Sequence, residues 1–263
     1  MRSASTRLAL LVLGLFVTAL GVAAVAGATP SVSLKVKAVP IPINPSSSKG
    51  PYYPGTGNLF GAGTDVEAEY KISGSEYGGA PSPLTQVTFY TPKGSKLRTA
   101  GFTTCSQSIL ESHEVQKCPK KSVAGPKGEA NGTVSFGATR VHEKLSVQPF
   151  FEAGGKLAFY AEGVTPASIE LLSTGLFSKP APGWGPVLTA EVPLVETVPG
   201  ALLGSVESIK VKVGAAFKHG KKLISYGTLP KTCPKGGFPV KSELKFLSGE
   251  TVAVPVKAPC PKK

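Results

Sequence analysis

A chain of 263 residues with 29 Lys and Arg against 16 Asp and Glu carries a formal net charge of +13, and 41% of it is apolar, enough to bury a substantial core. Arginine contributes only Arg2, Arg7, Arg98 and Arg140. Lysine is a hydrated point charge and arginine the planar, bidentate reader of phosphates and bases, so a specific nucleic-acid reader is not expected.

The first 28 residues read as a signal peptide. Arg2 and Arg7 form a basic start, Leu8 to Ala26 is a largely apolar run, and Ala26-Gly27-Ala28 supplies the small residues of a cleavage site. Cleavage after Ala28 leaves Thr29 as the first residue and lowers the net charge from +13 to +11. The competing reading is an uncleaved anchor, because the run approaches a membrane-spanning length. The C-terminal "VPVKAPCPKK" holds no apolar stretch, so no stable membrane span is expected after cleavage. The expected location is secreted, extracellular or associated with the cell envelope.

A short alternating segment at 32–39 is followed by "PIPINPSSSKGPYYPGTGN", whose five prolines and three serines cannot pair into a sheet. Residues 29–58 are therefore expected to form an N-terminal segment with a Pro-rich arm, and 59–263 one domain. The glycines of "GTGNLFGAG" lack the spacing and flanking elements of a phosphate loop. From Thr64 the strand pattern is regular. Val66, Ala68, Tyr70 and Ile72 alternate with Asp65, Glu67, Glu69 and Lys71, as on a strand with one buried face. Segment 84–91 is apolar enough for burial on both faces. Further strands are expected at 131–137, 141–151, 156–163, 167–173, 186–195, 208–217, 222–227, 238–247 and 250–257. Turns fall at Ala153-Gly154-Gly155 and Ser248-Gly249. One short helix is expected between Cys105 and Cys118, with Ser108 and Glu111 at capping-box spacing. The pattern predicts an all-β protein: an antiparallel β-sandwich, Ig-like or jelly-roll-like, of roughly ten strands.

Three of the four cysteines begin a Cys-Pro-Lys triplet, at Cys118, Cys233 and Cys260. Zinc and redox chemistry require Cys-x-x-Cys or histidine partners at ligand spacing, and the chain has neither, so no metal or cofactor is expected. Export makes disulfides the natural reading. The local pairing Cys105–Cys118 and Cys233–Cys260 is expected, with Cys118–Cys233 as the alternative.

Catalytic signatures are sparse. His113-Glu114 and His142-Glu143 complete no zincin motif, and there is no Gly-x-Ser-x-Gly elbow. Ser46 and Lys49, and Ser242 and Lys245, match a Ser-x-x-Lys spacing that a Ser- and Lys-rich chain produces freely. Asp65 is the single aspartate, so Asp-x-Asp calcium loops are absent. Asp65, Glu67 and Glu69 share a strand face. They form either a solvated face balanced by lysines or a carboxylate cluster for a cation or a polysaccharide. Trp184, in "PAPGWGPVL", and Tyr52 and Tyr53 of the arm are candidate contact surfaces, with plugging of the domain end as the alternative for Trp184.

The segments "CPKKSVAGPKG", "VHEKLSVQPFF", "EVPLVETVPG" and "CPKGGFPVKSELKF" with its following Cys-Pro resemble a set of exported bacterial proteins of no assigned activity. The resemblance implies a shared fold and compartment, and no reaction or binding residue. The expectation is thus an exported, non-catalytic binding or structural module at or outside the envelope. Its expected partner is an anionic cell-wall polymer or an extracellular protein. The alternative is a secreted polysaccharide-active hydrolase or lectin-like carbohydrate binder.

Overall fold

The computed structural model describes residues 29–40, 63–220, 222–230 and 232–260. The signal segment and the arm with Tyr52, Tyr53, Ser46 and Lys49 lie outside the described residues.

Fifteen strands and one α-helix follow in order: β1 (Ser31–Pro40), β2 (Thr64–Ser73), β3 (Leu84–Pro92), β4 (Lys96–Leu97), α1 (Gln107–Glu111), β5 (Gly128–Phe136), β6 (Thr139–Glu152), β7 (Lys156–Gly163), β8 (Ile169–Ser178), β9 (Trp184–Glu191), β10 (Ser205–Val213), β11 (Ala216–His219), β12 (Lys222–Ser225), β13 (Gly227–Thr228), β14 (Phe238–Phe246) and β15 (Thr251–Ala258). Eleven of them form one antiparallel sheet in the order β1-β2-β10-β5-β6-β7-β8-β9-β3-β14-β15. The two edges, β1 and β15, lie alongside each other, so the sheet is nearly closed into a barrel. Closure of this kind leaves little edge exposed for pairing with other chains. Strands β11 with β12, and β13 with β4, form two small ribbons beside it.

The period-two pattern sets which side chains face inward. Leu34 stands opposite Tyr70 and Val36 opposite Ala68 across β1 and β2. On the other side of β2, Ile209 opposes Tyr70 and Val211 opposes Ala68. One row of apolar residues therefore continues across three strands. A one-residue slip would turn the lysines and glutamates of all three inward, which pins the register.

The interior is packed unevenly. Leu34, Val36, Leu84, Phe238, Val240, Leu244 and Phe246 are all buried in one cluster, between β1, β2, β3 and the β14–β15 hairpin. Around β6 and β7 the side chains gather outside the sheet as well. Leu110 of α1 packs with Phe150, Tyr160 and the Cys105–Cys118 disulfide, which holds the helical segment against these strands. The second disulfide, Cys233–Cys260, ties together the open end of the β14–β15 hairpin.

Three local features differ from the sequence expectation. Helix α1 begins at Gln107 with Ser106 at its N-cap, so Ser108 lies inside the first turn and the Ser108–Glu111 capping box does not form. Glu111 instead accepts a 2.6 Å hydrogen bond from Gln107 Nε2, one turn back. The segment 208–217 is two strands, broken at Gly214, where φ is +149°. A side chain there would strike the buried Asp65, whose Cα lies 2.6 Å from the position a Gly214 Cβ would take. Strand β3 is half-buried through its length, with only its end residues Leu84 and Pro92 fully covered.

Candidate functional site

Where β2, β3 and β10 face β5 to β9, the inward side chains do not meet. They enclose a cavity of about 230 Å³. Its near wall is Val66, Ala68 and Tyr70 of β2 with Ile209, Val211 and Val213 of β10. Its far wall is built by β7, β8 and β9, through residues such as Leu157, Phe159, Leu171 and Leu188. Small residues at Ala68, Ala130, Ala161 and Ala190 stand where longer ones would close the gap. The sheet geometry works in the same direction. Barrel diameter grows with strand number, and eleven strands enclose more volume than the eight whose side chains just fill the interior. A smaller void of about 60 Å³ adjoins it and shares Thr64, Val66, Phe89 and Leu97.

The cavity lining contains no charged side chain. Its few polar groups are almost all occupied. Thr64 donates to the Asp65 carbonyl at 2.9 Å, Thr91 to the Pro186 carbonyl at 2.7 Å, and Ser173 to the Glu191 carbonyl. Tyr70 meets Ser242 Oγ at 3.0 Å, and that hydroxyl in turn donates to the Thr88 carbonyl at 2.9 Å. Tyr226 is different. It is 3% exposed, lines the cavity, and its hydroxyl has no hydrogen-bond partner among the described residues. Its ring is held by Phe151 at 4.6 Å, Phe102 at 5.5 Å and Phe177 at 6.2 Å between centroids. Burial pushes the Tyr226 phenol well above the usual tyrosine range, so it remains a proton donor.

The candidate residues read from the sequence lie elsewhere. Asp65, Glu67 and Glu69 sit on the opposite face of β2 from the cavity liners; Glu67 and Glu69 stand between lysines of β1 and β10, and Asp65 opposite Val39 of β1. Lys37 Nζ is 3.5 Å from Glu67, and Lys212 Nζ is 3.3 Å from Asp65. Asp65 is fully buried while Lys212 keeps a quarter of its side chain exposed. Desolvation raises the Asp65 carboxyl to about 6, with the Lys212 charge opposing that rise. Trp184, at the start of β9, is half-buried against Tyr90, with ring centroids 5.7 Å apart. Lys241 Nζ lies 3.9 Å from the centre of the Tyr90 ring and 2.7 Å from Glu243, which also accepts the Tyr90 hydroxyl at 2.8 Å. His113 meets Glu170 at 2.8 Å and His142 meets Glu207 at 3.4 Å, on separate parts of the surface. Ser242 is buried and committed to Tyr70 and Thr88 rather than to Lys245. Among the described residues no group of three or more His, Cys, Asp or Glu is placed to hold a metal ion.

Lysines gather at one end of the sheet. The segments that precede β5 and follow β3, β4 included, carry Lys93, Lys96, Arg98, Lys120, Lys121 and Lys127, all exposed. Two carboxylates of this end, Asp65 and Glu152, are buried and paired with Lys212 and Lys156, while Glu129 at the start of β5 is about half exposed and lies 3.5 Å from Lys144.

Comparison with models of protein families, with curated proteins and with solved structures finds no match. Neither the cavity nor Tyr226 was visible beforehand. A cavity is a property of side chains on six or more strands at once, and the segment "KLISYGTL" carries no signal that its tyrosine lacks a partner.

Proposed function

We propose that the chain is an exported, non-catalytic binding protein that holds a small apolar molecule inside its β-framework, at or outside the cell envelope. The cavity of about 230 Å³, walled by uncharged residues, carries this reading. An apolar cavity of about 150 Å³ already stays dry and takes up benzene, so this one accepts a larger ring or chain. The framework is read as a sandwich-like, flattened barrel. One side closes on the packed residues of β1, β14 and β15, and the other stands open around the ligand. The outer faces support surroundings of water, since Lys35, Lys37, Glu67, Glu69 and Lys210 point away from the cavity side, the reverse of a lipid-embedded barrel. Two disulfides and an apolar N-terminal segment with a small-residue end favour an oxidising compartment. The polysaccharide-active reading finds less support, because two of its three carboxylates, Asp65 and Glu67, are engaged with lysines.

The test is titration of the purified protein with Nile red, an uncharged fluorophore that brightens in apolar surroundings. Saturable binding is expected in the parent protein and its loss in Ala161→Trp, which fills the cavity. A fluorescence response unchanged by that substitution would place the dye on the surface and sink the reading.

The lysine-rich end favours a second property, attachment to an anionic wall polymer. Retention on isolated cell wall is then expected at low salt and release as salt rises. Failure to bind wall even at low ionic strength would remove it.

A further inference from the structure

We infer that the cavity takes a single-chain anionic amphiphile, such as a long-chain carboxylate, with its apolar chain inside the barrel and its head outside, at the end where Lys96 lies. The inference rests on the proposed function and specifies the class and the orientation of what the cavity takes.

The space is elongated. On β2 it is lined at every inward position from Thr64 to Tyr70, about 20 Å of strand. At the Thr64 end it adjoins the smaller void, with which it shares Thr64, Thr91 and Leu97. Among the described residues Lys96 is the one charged residue in the lining of either space, and it belongs to that void. Strand pairing fixes its place. Lys96 stands opposite Thr228, and Thr228 bridges Gly63, directly before β2. Lys96 is also exposed, so it borders the void and water at once. The lining of the void is almost entirely carbon, which leaves the Lys96 ammonium outside it. Neither Lys96 nor its exposed neighbours Lys93 and Arg98 makes an ion pair among the described residues.

The two ends of the barrel differ as the two ends of such a molecule do. A charged head drawn into the larger cavity would lose its water and meet no opposite charge, so the head belongs at an end. The end away from Lys96 is marked by Pro193, which is exposed and lines the cavity. Its turns, 74–83, 137–138, 164–168, 192–204 and 247–250, contain no lysine or arginine. They expose Val164, Leu194, Leu202 and Leu247, which suits an apolar tail. Their carboxylates are Glu76, Glu196 and Glu250, which repel an anionic head. None of the three lines the cavity, and each already accepts a hydrogen bond, from Ser82 N, Gly200 N and Ser248 Oγ respectively. A cationic head would therefore find no free carboxylate beside the space, whereas an anionic head finds the unpaired Lys96.

The experiment displaces Nile red with decanoate, methyl decanoate and decyltrimethylammonium at pH 8, using the parent protein, Lys96→Met and Lys127→Met. Methionine keeps an apolar stem and removes the charge, and Lys127 is an exposed lysine of the same end that lines neither space. Comparing each competitor between proteins cancels its own solubility in water. Decanoate is expected to bind about fivefold more weakly to Lys96→Met, the upper range for an exposed ion pair. Methyl decanoate is expected to stay within about twofold in both variants, and decanoate within about twofold in Lys127→Met. In the parent protein decyltrimethylammonium is expected to compete about tenfold less well than decanoate. Decanoate affinity indifferent to Lys96→Met overturns the anchor while leaving the cavity reading intact. Equal losses in the two variants overturn it too, because they show a diffuse attraction to the basic end. Decyltrimethylammonium competing as well as decanoate overturns the anionic class. If Nile red itself does not bind, the cavity reading falls and this inference with it. Both substitutions lie at exposed positions, so correctly folded variants are expected, and their unfolding midpoints check that.

Discussion

The Asp65 carboxylate, the only aspartate in the chain, is fully buried 3.3 Å from a Lys212 ammonium that is itself partly in solvent. The two ends of this ion pair are thus solvated very differently. Burial dominates at the carboxylate and lifts it from 3.8 to about 6, and Lys212 limits the rise. A carboxyl whose folded-state value is raised binds its proton more tightly in the folded protein. Its stabilising contribution is fully present below the unfolded value and is lost as pH rises through about 6. Over that window the loss amounts to about 3 kcal/mol. Asp65→Asn should flatten this part of the stability–pH curve and equal or exceed the parent protein at pH 7. Urea unfolding of both proteins from pH 4 to pH 8 checks it, and parallel curves would contradict it.

Lys212→Met probes the same pair from the other side. Removing the ammonium leaves a buried carboxylate without its compensating charge, a change that costs about 3–5 kcal/mol in buried pairs. The loss should be large at pH 7.5 and shrink toward pH 5, where Asp65 takes up a proton. A loss of equal size at both pH values would show that Lys212 acts through packing instead.

Most strands could be read from alternation, and the reason is visible at β2 and β10. Val66, Ala68 and Tyr70 alternate with charged neighbours, as do Ile209, Val211 and Val213, because one face of each strand meets the apolar interior and the other the lysines and glutamates. Where tertiary contacts overrode the local pattern, the reading failed. Gly214 ends β10 because the chain passes too close to Asp65 for a side chain, a constraint supplied by another strand. Ser108 forms no cap because the helix begins one residue earlier, at Gln107, which places Ser108 inside its first turn. The carboxylate row at Asp65, Glu67 and Glu69 was legible as a face, but only the register shows the lysines of β1 and β10 flanking it. The candidate site was almost wholly illegible. Ala161 and Ala190 are unremarkable in sequence, and only the structure brings them to the same cavity as Ala68.

Two buried tyrosines give opposite expectations for the same substitution. Tyr70 is bonded to Ser242 Oγ, and its hydroxyl is pushed up to about 12 by burial. Tyr70→Phe removes a satisfied bond and leaves Ser242 short of a partner, so a loss of about 1–2 kcal/mol is expected. Tyr226→Phe removes a hydroxyl without a partner, and the ligand-free protein should be as stable as before or more so, by up to about 2 kcal/mol. Chemical denaturation of the two variants under ligand-free conditions separates them. A destabilised Tyr226→Phe would mean that its hydroxyl is already bonded.

The disulfides differ in what they hold. Cys105–Cys118 closes a separation of 13 residues around α1, and Cys233–Cys260 one of 27 residues around the last hairpin. On loop entropy alone these stabilise by about 3 and about 3.5 kcal/mol. Beyond that near-equality, Cys233–Cys260 sits at the end of β15, the strand that meets β1 where the sheet nearly closes. Replacing Cys233 and Cys260 by alanine should therefore loosen the closure as well as lower stability, with faster amide hydrogen exchange in β1 and β15 than in β6 and β7. Replacing Cys105 and Cys118 should instead speed exchange in α1 and the adjoining part of β6. Exchange that rises uniformly in both variants would show that each bond acts only through global stability.

Filling space should separate the open side of the interior from the packed side. Leu244→Ala, in the cluster beneath the β14–β15 hairpin, removes a fully buried side chain from dense surroundings and should cost about 2–5 kcal/mol. Ala161→Leu adds three carbons toward the cavity, where they meet apolar neighbours rather than a tightly packed wall. Each buried methylene contributes about 0.8 kcal/mol when it needs no displacement of its surroundings. Ala161→Leu should accordingly leave stability unchanged or raise it by up to about 2 kcal/mol, while weakening Nile red binding at least fivefold. Overpacking by the same three carbons would instead cost about 1–3 kcal/mol. The sign of that stability change therefore measures directly whether the space between β2 and β7 is free to receive a ligand.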